Sequence, residues 1–161
     1  MTESILIFLN LVASAVLVGK IVFLSFVTAP VLSRTLDADA FSRVVRSLFP
    51  PYYGLGMVSA ALGWSTSVAL GFYHGFTPMV LMPATLWLGI LAIEQYCRTP
   101  LISQINELSD QLKAKQTRGI STPLLQKQRD GLHRRSVQLN SVVLFLGLCV
   151  LGFSGVSPSI Q

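Results

Sequence analysis

Few residues of this chain could do chemistry, and the most conspicuous is a lysine in a place that repels it. Lys20 sits in the stretch GKIVFLSFVTAP, residues 19–30. It lies about 16 residues inside an apolar run that starts near Ser4, or ~24 Å of helix at ~1.5 Å per residue. A lysine at mid-membrane depth costs at least ~2.5 kcal/mol on insertion scales, so it must snorkel, face a bundle interior or find a partner. The one acid inside the other apolar runs is Glu94, 17 residues past Thr77. Two arrangements are open. Lys20 and Glu94 pair or share a small wet cavity, or Lys20 snorkels toward the headgroups while Glu94 pairs with Arg98 one turn on.

A second group of polar residues gathers near the start of the last apolar run. His133, Ser136 and Asn140 are spaced i, i+3 and i+7, which puts them on one helical face. With Glu94, Arg98, Tyr52 and Tyr53 they could line a polar pocket that opens to the cytoplasm. The same face could equally serve helix packing, because Ser and Asn hydrogen-bond across helices in membranes. Other chemistries find no support. His74 and His133 fall on opposite sides of a hydrocarbon core ~30 Å thick, so they cannot share a metal. Cys97 and Cys149 have no metal or redox spacing. There is no phosphate loop, carboxylate dyad or hydrolase elbow. No catalytic residue, metal ligand or cofactor is assigned.

The elements that must position these residues are membrane spans. Of 161 residues, 52% are hydrophobic and 12% charged, against about 25% charged in soluble domains. Mean hydropathy is +0.61. A spanning helix needs ~20 mostly apolar residues. Four stretches qualify, at about residues 4–32, 53–72, 78–97 and 137–153. Glu3 stands where a signal peptide would carry its basic stretch, so the first run reads as a span. Of the twelve Lys and Arg residues, all but Lys20 fall in the two long links or at the edges of the spans beside them. The positive-inside rule then puts both links in the cytoplasm and both termini outside, in a plasma (inner) membrane. The net charge of +5 is explained by this topology, so nucleic acid is not expected as a partner.

The links have their own patterns. Asp37 suits an N-cap. Phe41, Val44, Val45 and Leu48 then share a face, which predicts a short interfacial helix over about 38–48. Pro50 and Pro51 are expected to end it. In the second link Leu101, Ile102, Ile105, Leu108 and Leu112 form one stripe, and Thr122–Pro123 signals a new helix start. That predicts a cytoplasmic helical hairpin over about 101–133. Gly56, Ala60, Gly63, Ser67 and Gly71 form a small-residue stripe suited to close helix approach in lipid. The expected architecture is all-α: an integral membrane four-helix bundle, one domain over residues 1–161, with an interfacial amphipathic helix and a cytoplasmic hairpin.

The ordered set VGKIVFLSFVTAPVL, LFPPYY, RTPLISQIN and LHRRSVQLN resembles the transmembrane protein 205-like family of small four-span membrane proteins. The matching residues are Gly19, Phe23, Ser25 and Phe26, then Phe49, Pro50 and Tyr52, then His133, Ser136 and Asn140. The resemblance implies a four-helix membrane domain and supplies no reaction. Two roles follow from the residues. One is transport, or small-molecule or ion binding, through the polar pocket. The other is a non-catalytic accessory or assembly subunit docking a partner through its hairpin. The expected partners are the lipid bilayer and a homo-oligomer or another membrane protein.

Overall fold

The computed structural model describes residues 1–156 and is helical almost throughout. The first apolar run folds as α1 (Thr2–Phe23), a π-helical turn π1 (Leu24–Thr28) and α2 (Ala29–Thr35), which follow one another without a break. Then come α3 (Ala38–His74), α4 (Pro78–Tyr96), a second π-helical turn π2 (Cys97–Leu101), α5 (Ile102–Thr117) and α6 (Pro123–Val156). Four of these stretches are long and apolar enough to cross a membrane. The protein is an integral, multi-pass membrane bundle.

Both π turns sit at a proline. Pro30 follows π1 by one residue beyond its C-cap, and Pro100 lies within π2. A proline cannot donate to the carbonyl four residues back and collides with it, and a widened turn relieves that collision. Each run thus keeps a helical course where an α-helix would be strained.

The prolines of the first link behave differently from expectation. Pro50 and Pro51 do not end a helix; α3 runs through them for 37 residues. At ~1.5 Å per residue that is ~55 Å, well beyond the ~30 Å hydrocarbon layer. Residues 38–48 are therefore the first three turns of α3 rather than a separate interfacial helix. Asp37 caps them, accepting from the Ala40 N–H at 2.8 Å. Side-chain ties to α5 hold them in place. Arg46 Nη2 meets Asp110 Oδ1 at 2.7 Å and Lys113 Nζ meets Asp39 Oδ1 at 2.9 Å. Two lost backbone bonds are thus tolerated because the segment has tertiary partners.

The second link matches its pattern more closely. α5 continues from π2, and α6 begins at Pro123 and runs on into the last span. Leu101 and Leu112 are buried. Thr122 precedes the helix, but its Oγ1 is buried without a hydrogen bond, so its side chain does not cap. The expected placement of the C-terminus falls on residues 157–161, outside the described residues.

Around the bundle, α1 packs beside α3 and α6, and α4 also packs beside α3 and α6. Hence α1 faces α4 across the centre, and α3 faces α6. The core holds Leu17, Ile21, Ala60, Trp87, Ile90, Val143 and Val150. The small-residue stripe of α3 lies inside this core. Gly56, Ala60, Gly63, Ser67 and Gly71 are all buried. A methyl at Gly63 would overlap the indole ring of Trp87, which is 0% exposed. In the half of the bundle away from the Lys and Arg residues, Asn10 Nδ2 donates to Gly63 O at 3.0 Å and to Thr66 Oγ1 at 2.9 Å, tying α1 to α3.

Gly63→Ala should therefore destabilise the bundle by ~1–3 kcal/mol through overpacking against Trp87, read as a lower thermal midpoint in detergent. Gly54→Ala, where a Cβ meets nothing within 4 Å, should leave the midpoint unchanged or raise it.

Candidate functional site

The polar residues converge on one level of the bundle, near the end that carries the Lys and Arg residues. Antiparallel geometry sets that level. Lys20 lies 18 residues into α1 and Glu94 16 residues into α4, depths of ~27 and ~24 Å along helices that run the same way. Gly56 lies 18 residues before the end of α3, ~27 Å from the same side of the bundle. The Glu3–His74 contact at 2.9 Å marks that far side.

Lys20 Nζ meets Glu94 Oε1 at 2.7 Å, with side-chain exposures of 5% and 1%. The pair bridges α1 and α4, the helices that face each other across the centre. It rests on Gly56 of α3. A methyl there would overlap the Lys20 ammonium and the Glu94 carboxyl group. Only the absence of a side chain at this position lets the two charges meet. The ammonium also donates to Tyr52 O at 3.3 Å and sits 4.1 Å from the centroid of the Tyr52 ring. That ring contact supplies a cation–π attraction in a dry setting.

The other diagonal is bridged at the same level. Tyr52 donates its phenol O–H to Asn140 Oδ1 at 3.0 Å. Asn140 Nδ2 donates to Tyr53 Oη at 3.0 Å, and the Tyr53 and Ser136 hydroxyls are hydrogen-bonded to each other at 3.1 Å. Phe49 stacks on Tyr53 with centroids 5.7 Å apart and meets Tyr52 edge-on. One connected network thus joins α1, α3, α4 and α6. One group in it lacks a partner. Glu94 Oε2 is buried with no hydrogen bond.

The structure brings together Lys20, Glu94, Tyr52, Tyr53, Ser136 and Asn140. It does not bring in the other two residues of the expected pocket. Arg98 is exposed and contacts Met57 Sδ at 3.7 Å, so Glu94 takes Lys20 and not Arg98 as its partner. His133 is exposed, one turn before Ser136. The network is packed, with Glu94 1% and Ser136 8% exposed, and it does not line an open basin on the basic end. Gly56 is the position in this network that residue chemistry does not single out. Its signal was its place one turn after Tyr52 and Tyr53, with the small-residue stripe beginning there. No group of three or more His, Cys, Asp or Glu residues among those described could hold a metal ion.

A small helical membrane bundle with a buried ion pair across its centre is the class these features define. A family model described as a domain of unknown function, DUF4149, matches residues 12–110, and the chain belongs to that family. The matched segment holds Lys20, Tyr52, Tyr53, Gly56 and Glu94; Ser136 and Asn140 lie outside it. Comparison with curated proteins and with solved structures gave no match.

Removing one partner of a buried pair strands the other charge, at a cost of ~3–5 kcal/mol, whereas replacing both with apolar residues is often neutral or better. Lys20→Met and Glu94→Leu should each lower the unfolding midpoint sharply, and the double variant should recover most of the loss. Costs that simply add in the double variant would mean that the two residues do not interact.

Proposed function

We propose that this membrane protein binds, and moves, a small molecule or ion at the Lys20–Glu94 centre. The observation that carries this reading is the buried, unpartnered Oε2 of Glu94 beside an ammonium within a membrane span. An unmet buried acceptor costs ~1–3 kcal/mol, more when charged. Ionisable residues in spans are expensive and mark substrate or ion sites. Structural stability alone would be served better by apolar residues at these two positions. The tyrosine–asparagine–serine network supports the same reading, because it holds the Lys20 side of the centre in one geometry.

The basic end of the bundle faces the cytoplasm in this proposal. All Lys and Arg residues except Lys20 lie toward that end, which is the positive-inside pattern of a plasma membrane protein. Four helices enclose little room for a pathway, so movement of a solute calls for a homo-oligomer or a second membrane protein. The likeness to the transmembrane protein 205-like family supports the four-span topology. The accessory role through the hairpin has less behind it. The hairpin is already engaged by this chain's own α3, through Asp110 and Lys113.

The test is a thermal-shift screen of the protein in nanodiscs against ions and small metabolites. Wild type is compared with the Lys20→Met/Glu94→Leu double variant, chosen because it strands no charge. The proposal expects a ligand that raises the wild-type midpoint saturably and leaves the double variant unmoved. Equal shifts in both proteins, or no ligand for wild type, would contradict it.

A further inference from the structure

The basic end of the bundle holds more cations than the chain's own acids can use. Glu94, Asp110, Asp39 and Asp130 are paired with Lys20, Arg46, Lys113 and Arg129. Glu3 meets His74 on the far side, Asp37 caps α3, and Glu107 accepts from Gln111 Nε2. Those are all seven acidic side chains of the sequence, and none of them reaches Arg135. Its guanidinium lies over the Tyr96 ring, 5.2 Å from the centroid, and makes no ion pair or side-chain hydrogen bond among the described residues. Tyr96 is half-buried and packs on the core, so the ring is a firm platform. It stands 18 residues into α4, at ~27 Å, close to the far edge of the ~30 Å hydrocarbon layer. On α6, Arg135 comes just before Ser136, a member of the polar layer. Arg135 is therefore exposed at the depth where headgroups begin. Farther into the membrane the adjoining surface is apolar and open. Ala92, one turn before Tyr96, and Val142, two turns after Arg135, are both exposed.

We infer that Arg135, held on Tyr96, binds the phosphate of an anionic phospholipid in the leaflet on the basic side of the bundle. The site is separate from the Lys20–Glu94 centre and does not rest on the function proposed for it. The anion follows from the free guanidinium. An arginine has five N–H donors in one plane. Contact with a ring occupies the face of that plane and leaves its edge to meet two phosphate oxygens. The lipid follows from the depth. A soluble phosphate would have to leave water to reach this level, whereas a phospholipid carries its phosphate there and lays its tails beside Ala92 and Val142. The net negative headgroup follows from the neighbours. Arg98, two residues past Tyr96, and Arg134, next to Arg135, also lack an acidic partner. A zwitterionic headgroup would bring its own ammonium into this surplus of positive charge, and an anionic one brings none.

The experiment holds the tails constant and varies the head. The full-length protein in detergent is titrated with dioleoyl phosphatidylglycerol, dioleoyl phosphatidylcholine and glycerol phosphate, and bound ligand is counted by native mass spectrometry. The first phosphatidylglycerol is expected to bind at least roughly tenfold more tightly than phosphatidylcholine, and Arg135→Gln to lose about that factor, the worth of one charge-assisted hydrogen bond. Arg135→Lys keeps the charge but not the planar fork and should fall between. Two controls should bind like wild type. Arg118→Gln removes another exposed cation, at the far end of α5, and Lys20→Met/Glu94→Leu removes the buried pair. Equal binding of the two lipids overturns the anionic head. A loss in Arg118→Gln as large as in Arg135→Gln means diffuse charge and overturns the site. Glycerol phosphate binding as tightly as the lipid overturns the lipid source. Loss of lipid binding in the Lys20→Met/Glu94→Leu variant overturns the independence of this site, whereas a failed ligand screen at the Lys20–Glu94 centre leaves it standing.

Discussion

An ammonium ion deep in a hydrocarbon layer must be given a partner, and much of this structure can be derived from that need. The partner of Lys20 comes from α4, the helix diagonally opposite. Two long helices must therefore be held at one relative height, and a helix between them must stand aside. Gly56 is where α3 does so. Sequence neighbours of that glycine complete the enclosure. Tyr52 contributes its carbonyl and its ring to the ammonium, and its phenol reaches α6. Charge, glycine and aromatic pair form one polar layer, and Asn10, Thr66 and Ser67 form a second, uncharged one in the other half of the bundle.

The parts beyond the layer read as consequences of keeping long helices intact. The π turns at Pro30 and Pro100 let two runs pass a proline without stopping. Ion pairs from α5 brace the far end of α3, which continues through Pro50 and Pro51. Surface pairs of this kind contribute little energy each. Their role is geometric: they fix the direction in which the chain leaves the bundle on the basic end. On the opposite half, Asn10 closes α1 onto α3 through a glycine carbonyl and two hydroxyls, Thr66 and Ser67. This helix pair is thus anchored near both ends.

Much of this was legible in the residues. Hydropathy and the distribution of Lys and Arg define four spans because membrane solvation acts on each residue where it stands. Counting residues from the helix starts places Lys20 and Glu94 at one depth for the same reason. Pro50 and Pro51 lie within α3 against the local expectation, because sequence shows the local cost of proline but not the tertiary ties that offset it. The periodicity of His133, Ser136 and Asn140 is correct, yet only the last two have neighbours across the bundle. Period alone does not say which residues of a face meet a partner. Gly56 could be seen as small but not as the seat of an ion pair, because that depends on what two other helices bring to it.

The central claim is that Lys20 and Glu94 meet as ions inside the bundle, in a low-dielectric setting where a neutral pair is the alternative. Infrared difference spectroscopy between wild type and Glu94→Gln in lipid tests it directly. The account predicts that the wild-type spectrum carries an ionised-carboxylate band that vanishes in the variant. A protonated carboxyl band in its place would contradict the ion pair.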